Sequence, residues 1–200
     1  ASHAGVNFAF ALRKEGWQGR IILFDADPEF PYHRPPLSKA FLTSEGGIEN
    51  YLLKPAQAYE KENIELHLGT TIKEINRLEK FVVVENGNKQ SYYKLVLATG
   101  ARPFVPPISG FDQAQNLHFL RTAADVTKIK DGFEHSKTKK VLIIGGGYIG
   151  LEIAASLRKL GATVTVLERE ERILARVTAP EMSAYFNELH TQNGVQIYTS

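Results

Sequence analysis

The chain has 200 residues, 43% hydrophobic and 23% charged, with a net charge of +2. That is the balance of an ordinary globular protein of one or two domains. No apolar run approaches the roughly 18 residues a membrane span needs, no signal peptide is visible, and the scattered Lys and Arg give no reason to expect nucleic acid. Cysteine is absent, which excludes a disulfide scaffold, a thiolate metal site and a cysteine redox centre within these residues and fits a reducing cytoplasm.

The first element is an amphipathic helix that starts at ASHAG, Ala1 to Gly5. With a glycine before Ala1 the start would read G-A-S-H-A-G, with Ser2 at the second and Gly5 at the third glycine position of a dinucleotide loop. The strand that opens such a unit is not in the sequence, so the chain is expected to be a piece of a longer one. IILFD, Ile21 to Asp25, reads as the next strand and ends in an acid. Asp25 or Asp27 could hold a ribose, or could form a polar strand-end turn.

Residues 28–39, PEFPYHRPPLSK, are too rich in proline for a helix interior and are expected to form a fixed, extended loop. On composition alone its cations, Arg34 and Lys39, read as solvated loop charges. Residues 50–62 look helical. Ile64 to Leu68 reads as a short strand, and Thr71 to Ile75, Phe81 to Glu85 and Ser91 to Tyr93 as a meander with Asn86-Gly87 as a hairpin turn. LVLATGARP, Leu95 to Pro103, reads as a buried strand running into a glycine turn, where a doubly wound sheet commonly faces its ligand. Residues 101–112, rich in Pro and Gly, suit a crossing between domains. Arg121 to Thr127 then begins a helix.

KVLII, Lys140 to Ile144, reads as a buried parallel strand directly before glycines. Gly145, Gly147 and Gly150 hold the G-x-G-x-x-G positions, for a tight turn, backbone approach to a pyrophosphate and close helix–strand packing. A helix from Tyr148 to about Leu160 aims its N-terminal dipole at the phosphates. The strand VTVLE ends in Glu168, placed to accept bonds from both ribose hydroxyls. Residues 180–193 read as a helix and Val195 to Tyr198 as a strand.

The two glycine starts belong to one repeated unit. With Gly5 over Gly150, Ala9 falls on Ala154, Leu12 on Leu157, Arg13 on Arg158, Lys14 on Lys159 and Gly16 on Gly161. After two inserted residues, IILFD lies over VTVLE. The expected class is α/β: two Rossmann-like dinucleotide-binding domains, truncated, one incomplete over residues 1–110 and the other incomplete over 111–200.

The succession G-x-S-x-x-G, PYHRPPLSK, LVLATGARP, LRT, GGGYIGLE and VTVLE resembles the FAD-dependent NADH:ferredoxin, rubredoxin and putidaredoxin reductases. The apoptosis-inducing-factor group, with its glutathione-reductase-like fold, is similar. The resemblance implies that Ser2, His3, Ala4 and Gly5 contact the FAD pyrophosphate and that Asp27 sits near the adenosine ribose. Arg34 and Lys39 would contact the phosphates and the isoalloxazine side, and Ile72 the adenine through its backbone. Ala98, Thr99, Gly100 and Arg121 would line the flavin cleft. In the second unit Gly145, Gly147, Tyr148, Ile149, Gly150 and Glu168 would hold NADH, with Tyr148 shielding the nicotinamide position. Glu152 would pair with Lys39 near flavin N5.

The implied function is hydride transfer from NADH to FAD and onward electron transfer to a ferredoxin- or rubredoxin-like protein. No nucleic acid, membrane or metal is expected. The absence of a thiol near Lys39 disfavours NADH oxidases, peroxidases and disulfide reductases. Two rivals stay open: a redox-sensing interaction flavoprotein of the apoptosis-inducing-factor type, and a bare NAD-binding module.

Overall fold

The computed structural model describes residues 1–200, which form two compact units. One comprises residues 1–33 and 47–102, the other residues 34–46 and 103–200. The chain passes between these units at 33/34, 46/47 and 102/103. The proline-rich excursion 34–46 packs with the second unit rather than with its neighbours in sequence.

In the first unit α1 (His3–Lys14) follows an extended Ser2 and buries Gly5, Val6 and Ala9. Arg13 and Lys14 stand in its last turn, where cations suit the helix dipole. It stops at Gly16, whose φ of 90° only glycine takes without strain. The Arg13 guanidinium ties this end to the carbonyls of Trp17, Gly19, Glu62 and Asn63. β1 (Ile21–Phe24) pairs in parallel with β2 (Ile64–His67). Val6, Ala9, Ile21, Tyr59 and Ile64 make the core between them.

The helix expected over 50–62 is interrupted. A 3-10 turn spans Ile48–Tyr51, and α3 covers only Ala56–Lys61. Pro55 between them has no N–H to continue a helix. β3 (Ile72–Asn76), β4 (Phe81–Val84) and β5 (Lys89–Ser91) form an antiparallel meander. The hairpin turns at Gly87, which has φ 86° and donates to the Val84 carbonyl. This closes the loop earlier than a strand at 91–93 would require.

The strand expected from Leu95 does not form. Leu95, Val96 and Leu97 are 39%, 50% and 66% exposed and belong to no sheet. An extended apolar run becomes a strand only when a neighbour offers its N–H and C=O groups. The parallel sheet of this unit has just two strands, and neither they nor the strands of the meander pair with it.

In the second unit the loop after His33 turns into a 3-10 helix, Pro35–Ser38, and then α2, Ala40–Thr43. Only the end of the expected extended loop, residues 35–38, is thus coiled. Two prolines at its N-terminus supply the φ that a helical first turn needs. α4 (Ala123–His135) begins with a reciprocal cap: Asp125 N–H donates to Thr122 Oγ1, and the Asp125 carboxylate accepts from the Thr122 N–H. Lys130 on α4 donates to the carbonyls of Phe41 and Ser44, satisfying the end of α2.

β6 (Lys140–Ile144), β7 (Thr163–Leu167) and β8 (Val195–Tyr198) form a parallel sheet in that order, joined by α5 (Tyr148–Lys159) and α6 (Pro180–Gln192). β6 was expected to be buried, but Leu142 and Ile144 are 58% and 46% exposed. Successive right-handed crossovers in one direction put both helices on one face of the sheet, so alternate residues of β6 on the other face stay open.

Candidate functional site

The glycine loop of the second unit has the geometry its spacing predicts. Gly145 sits at φ 112°, which turns the chain sharply out of β6. Gly147 is the extended residue before α5, and a Cβ there would meet nothing within 4 Å, so its backbone lies open to a ligand. A Cβ on Gly150 would lie 2.0 Å from the Gly145 carbonyl oxygen, so the helix can seat itself on the turn only without one. The first-turn N–H groups of α5 lack helical acceptors and point at this opening.

Gly146, which the motif positions leave out, is constrained as well. A Cβ there would press to 2.7 Å on Ile173 and 3.2 Å on Glu168. Its N–H donates to Glu168 Oε2 at 2.7 Å, while Glu168 Oε1 accepts the Glu170 N–H at 2.9 Å. The run of three glycines was the available signal. Glu168 thus stands at the end of β7 against the loop. Arg172 donates to Ser183 Oγ at 2.5 Å and to the Ala175 carbonyl at 3.0 Å. Arg169 is 84% exposed and bonds Glu170. Tyr148 and Ile149, at the start of α5, are 53% and 54% exposed.

The second unit also brings together two residues of the expected site that lie 113 positions apart in sequence. Lys39 Nζ lies 2.7 Å from Glu152 Oε2. Local structure explains the meeting. The 3-10 turn buries Leu37 and Ser38, and the non-helical backbone of Lys39 (φ −126°, ψ −109°) separates that turn from α2 and releases the side chain. Glu152 stands in the first turns of α5, where the dipole favours a carboxylate. Arg34 and Arg121 also meet, since the Arg34 guanidinium donates to the Arg121 carbonyl at 2.6 Å.

In the first unit Ser2 is the extended residue before α1, and its side chain makes no capping bond. His3, Ala4 and Gly5 form the first turn. A Cβ on Gly5 would meet Ala98 at 3.7 Å and Leu23 at 3.8 Å, ordinary contact distances, so this glycine is not packed as Gly150 is. Ala98 is thereby placed beside the helix start, with Thr99 exposed and Gly100 at φ 68° following it. Asp27 accepts the Tyr32 hydroxyl at 2.7 Å and the Glu29 N–H at 3.2 Å. Ile72 opens β3 next to a register shift. The depression lined by Phe24, His67, Thr70 and the β4–β5 turn contains none of the expected residues.

This pair of glycine-started α/β units defines a dinucleotide-binding class, and comparison with known proteins agrees. The chain belongs to the pyridine nucleotide-disulphide oxidoreductase family, which it matches over residues 1–200. Membership implies binding of a flavin and a nicotinamide nucleotide. It is 41% identical over 198 residues to putidaredoxin reductase CamA of Pseudomonas putida, covering 98% of this chain and 46% of that protein. It is 38% identical over 200 residues to rhodocoxin reductase of Rhodococcus erythropolis, covering 100% and 46%.

Among solved structures, the covalent putidaredoxin reductase–putidaredoxin complex superposes with a TM-score of 0.92 at 41% identity, covering 99% of this chain and 48% of that one. The ferredoxin reductase for the CYP199A2 system of Rhodopseudomonas palustris gives 0.94 at 35%, covering 100% and 48%. The chain spans about half the length of the curated relatives it matches. No helix is long and apolar enough to cross a membrane.

Proposed function

We propose that the protein containing this chain transfers reducing equivalents from NADH through FAD to a small iron–sulfur protein of the ferredoxin or rubredoxin type. The observation that carries this reading is the Lys39–Glu152 pair, which joins the RPPLSK segment to the GGGYIGLE segment at 2.7 Å. The names of the similar proteins, putidaredoxin reductase and rhodocoxin reductase, support the reductase class. The cysteine-free sequence suits a cytoplasmic setting.

The residues present fit both nucleotides. The open backbone at Gly147 and the donors at the start of α5 suit a pyrophosphate, and Glu168 stands where a ribose would follow. Ser2 to Gly5, at the start of α1, would offer a second set of first-turn N–H groups, with Asp27 for the second ribose. When bound, the flavin and nicotinamide supply the redox chemistry, a hydride in and single electrons out.

The chain's own residues bind, orient and set charge. Tyr148 would cover the nicotinamide side. The family resemblance gives flavin-contacting roles to Arg34 and Arg121 in the second unit and, separately, to Ala98 to Gly100 in the first. The Lys39 ammonium would favour negative charge developing on the ring, with Glu152 holding that ammonium in place. No side chain need act as an acid or base. Purified full-length protein is expected to be yellow, to bleach with NADH, and to turn over with a ferredoxin. A colourless protein would leave only a nicotinamide-binding module, and a flavoprotein slow with every small acceptor would favour a redox sensor.

A further inference from the structure

We propose that Ser38 is a positioning residue for the Lys39–Glu152 pair, holding the Glu152 carboxylate in place and thereby fixing where the Lys39 ammonium stands. This rests on the reading of that pair as part of the flavin site. Ser38 Oγ donates to Glu152 Oε2 at 2.5 Å, the same oxygen that Lys39 Nζ approaches at 2.7 Å. The two donors differ in kind. The Lys39 side chain is 50% exposed, whereas Ser38 is only 4% exposed. An ion pair between long, solvated side chains holds a geometry weakly, because water and rotamer freedom compete with it. A hydrogen bond from a buried hydroxyl to a carboxylate is shorter and more directional.

The hydroxyl has little else to do. Its other acceptor, the Pro35 carbonyl, is 3.5 Å away. The backbone that carries it is pinned separately: Ser156 Oγ donates to the Ser38 carbonyl at 2.7 Å in a buried bond. Glu152 and Ser156 are four residues apart on α5 and share one face. α5 therefore grips Ser38 at two points. The bond from Ser156 sets the turn's position. The Ser38 hydroxyl adds a bond that only the carboxylate uses. Helix packing by itself would be equally served by alanine at position 38, so the hydroxyl serves Glu152.

The test uses the flavin-loaded full-length protein with Ser38→Ala, Glu152→Gln, the double variant and Ser38→Thr. Flavin reduction by NADH is followed in stopped flow. Independently of turnover, the Glu152 side-chain carboxyl resonance is followed by 13C NMR and assigned by its loss in Glu152→Gln. Ser38→Ala should slow reduction about fivefold, the loss of one modest hydrogen bond, with NADH affinity unchanged. It should also move or broaden the Glu152 resonance, and threonine should restore both. In the Glu152→Gln background the further loss should vanish.

An equal loss in both backgrounds, or a stationary Glu152 resonance, overturns the proposal. If Glu152→Gln slows reduction and Ser38→Ala does not, the proposal alone falls. If Glu152→Gln changes nothing, the flavin-site reading of the pair falls and takes the proposal with it. Should the threonine variant lose its flavin, the cycle with Glu152→Gln decides alone.

Discussion

Both oxygens of Glu168 accept backbone N–H groups, from Gly146 and Glu170, yet each carboxylate oxygen can accept a further bond. The side chain can therefore brace the glycine loop and still receive ribose hydroxyls, while repelling a 2′-phosphate. Arg172 follows Glu168 four residues later, but its guanidinium donates to Ser183 and to the Ala175 carbonyl. The full-length protein should prefer NADH by kcat/KM, and Glu168→Ala should lower the NADH-to-NADPH ratio by about tenfold, ~1.4 kcal/mol. Equal kcat/KM values in the unaltered protein would remove the assignment.

Tyr59 makes a second prediction at this scale. It is buried in the first unit's core, its hydroxyl has no hydrogen-bond partner, and burial pushes its pKa up to about 12 from 10.0. The protonated phenol is thus favoured in the fold. The unfolded chain releases its proton first as pH rises, so stability is lost between about 10 and about 12. Tyr59→Phe should flatten that alkaline loss in urea titrations at several pH values, at little cost near neutrality.

At the scale of elements, α1 and α5 start with the same glycine in different surroundings. Gly150→Ala would drive a methyl to 2.0 Å from a backbone oxygen. It should cost about 3 kcal/mol or more, since the turn cannot retreat without breaking the loop. Gly5→Ala meets its neighbours at 3.7 and 3.8 Å and should stabilise α1 by about 0.5–1 kcal/mol through helix propensity. Urea midpoints of the 200-residue chain would show opposite shifts, and two shifts of the same sign would contradict the packing difference. Thr122→Ala removes half of a reciprocal cap and should cost about 1 kcal/mol on the same measurement.

At the scale of the whole molecule, each unit leaves apolar surface open. Leu95, Val96 and Leu97 are exposed in the first, and Leu142, Ile144 and Tyr198 in the second. Exposed apolar area of this kind promotes association. The 200-residue chain should therefore show a sedimentation coefficient that rises with concentration. The first glycine loop is backed only by ordinary contacts at Gly5. FAD mixed with the chain is accordingly expected to separate from it on a desalting column, and stoichiometric retention would contradict this.

What the sequence determined alone is what short-range chemistry dictates. The order of glycines, helix and acid specified the loop at Gly145–Gly150. Apolar spacing specified α5 and α6 to within a residue or two and the starts of α1 and α4, and the prolines punctuated the chain between them. These follow from steric and hydrogen-bonding rules that act within a few residues. The tertiary structure decided whatever depends on a distant partner. Leu95 to Leu97 has the composition of a strand, but no neighbour pairs with it. β6 has the composition of a central strand and lies at an edge. Lys39 and Glu152 had only a family resemblance to join them across 113 positions. The Ser38 hydroxyl, on Glu152 at 2.5 Å, had no sequence signal at all. Side-chain bonds of that kind are set by how a turn packs on a helix, and packing is a property of the folded chain.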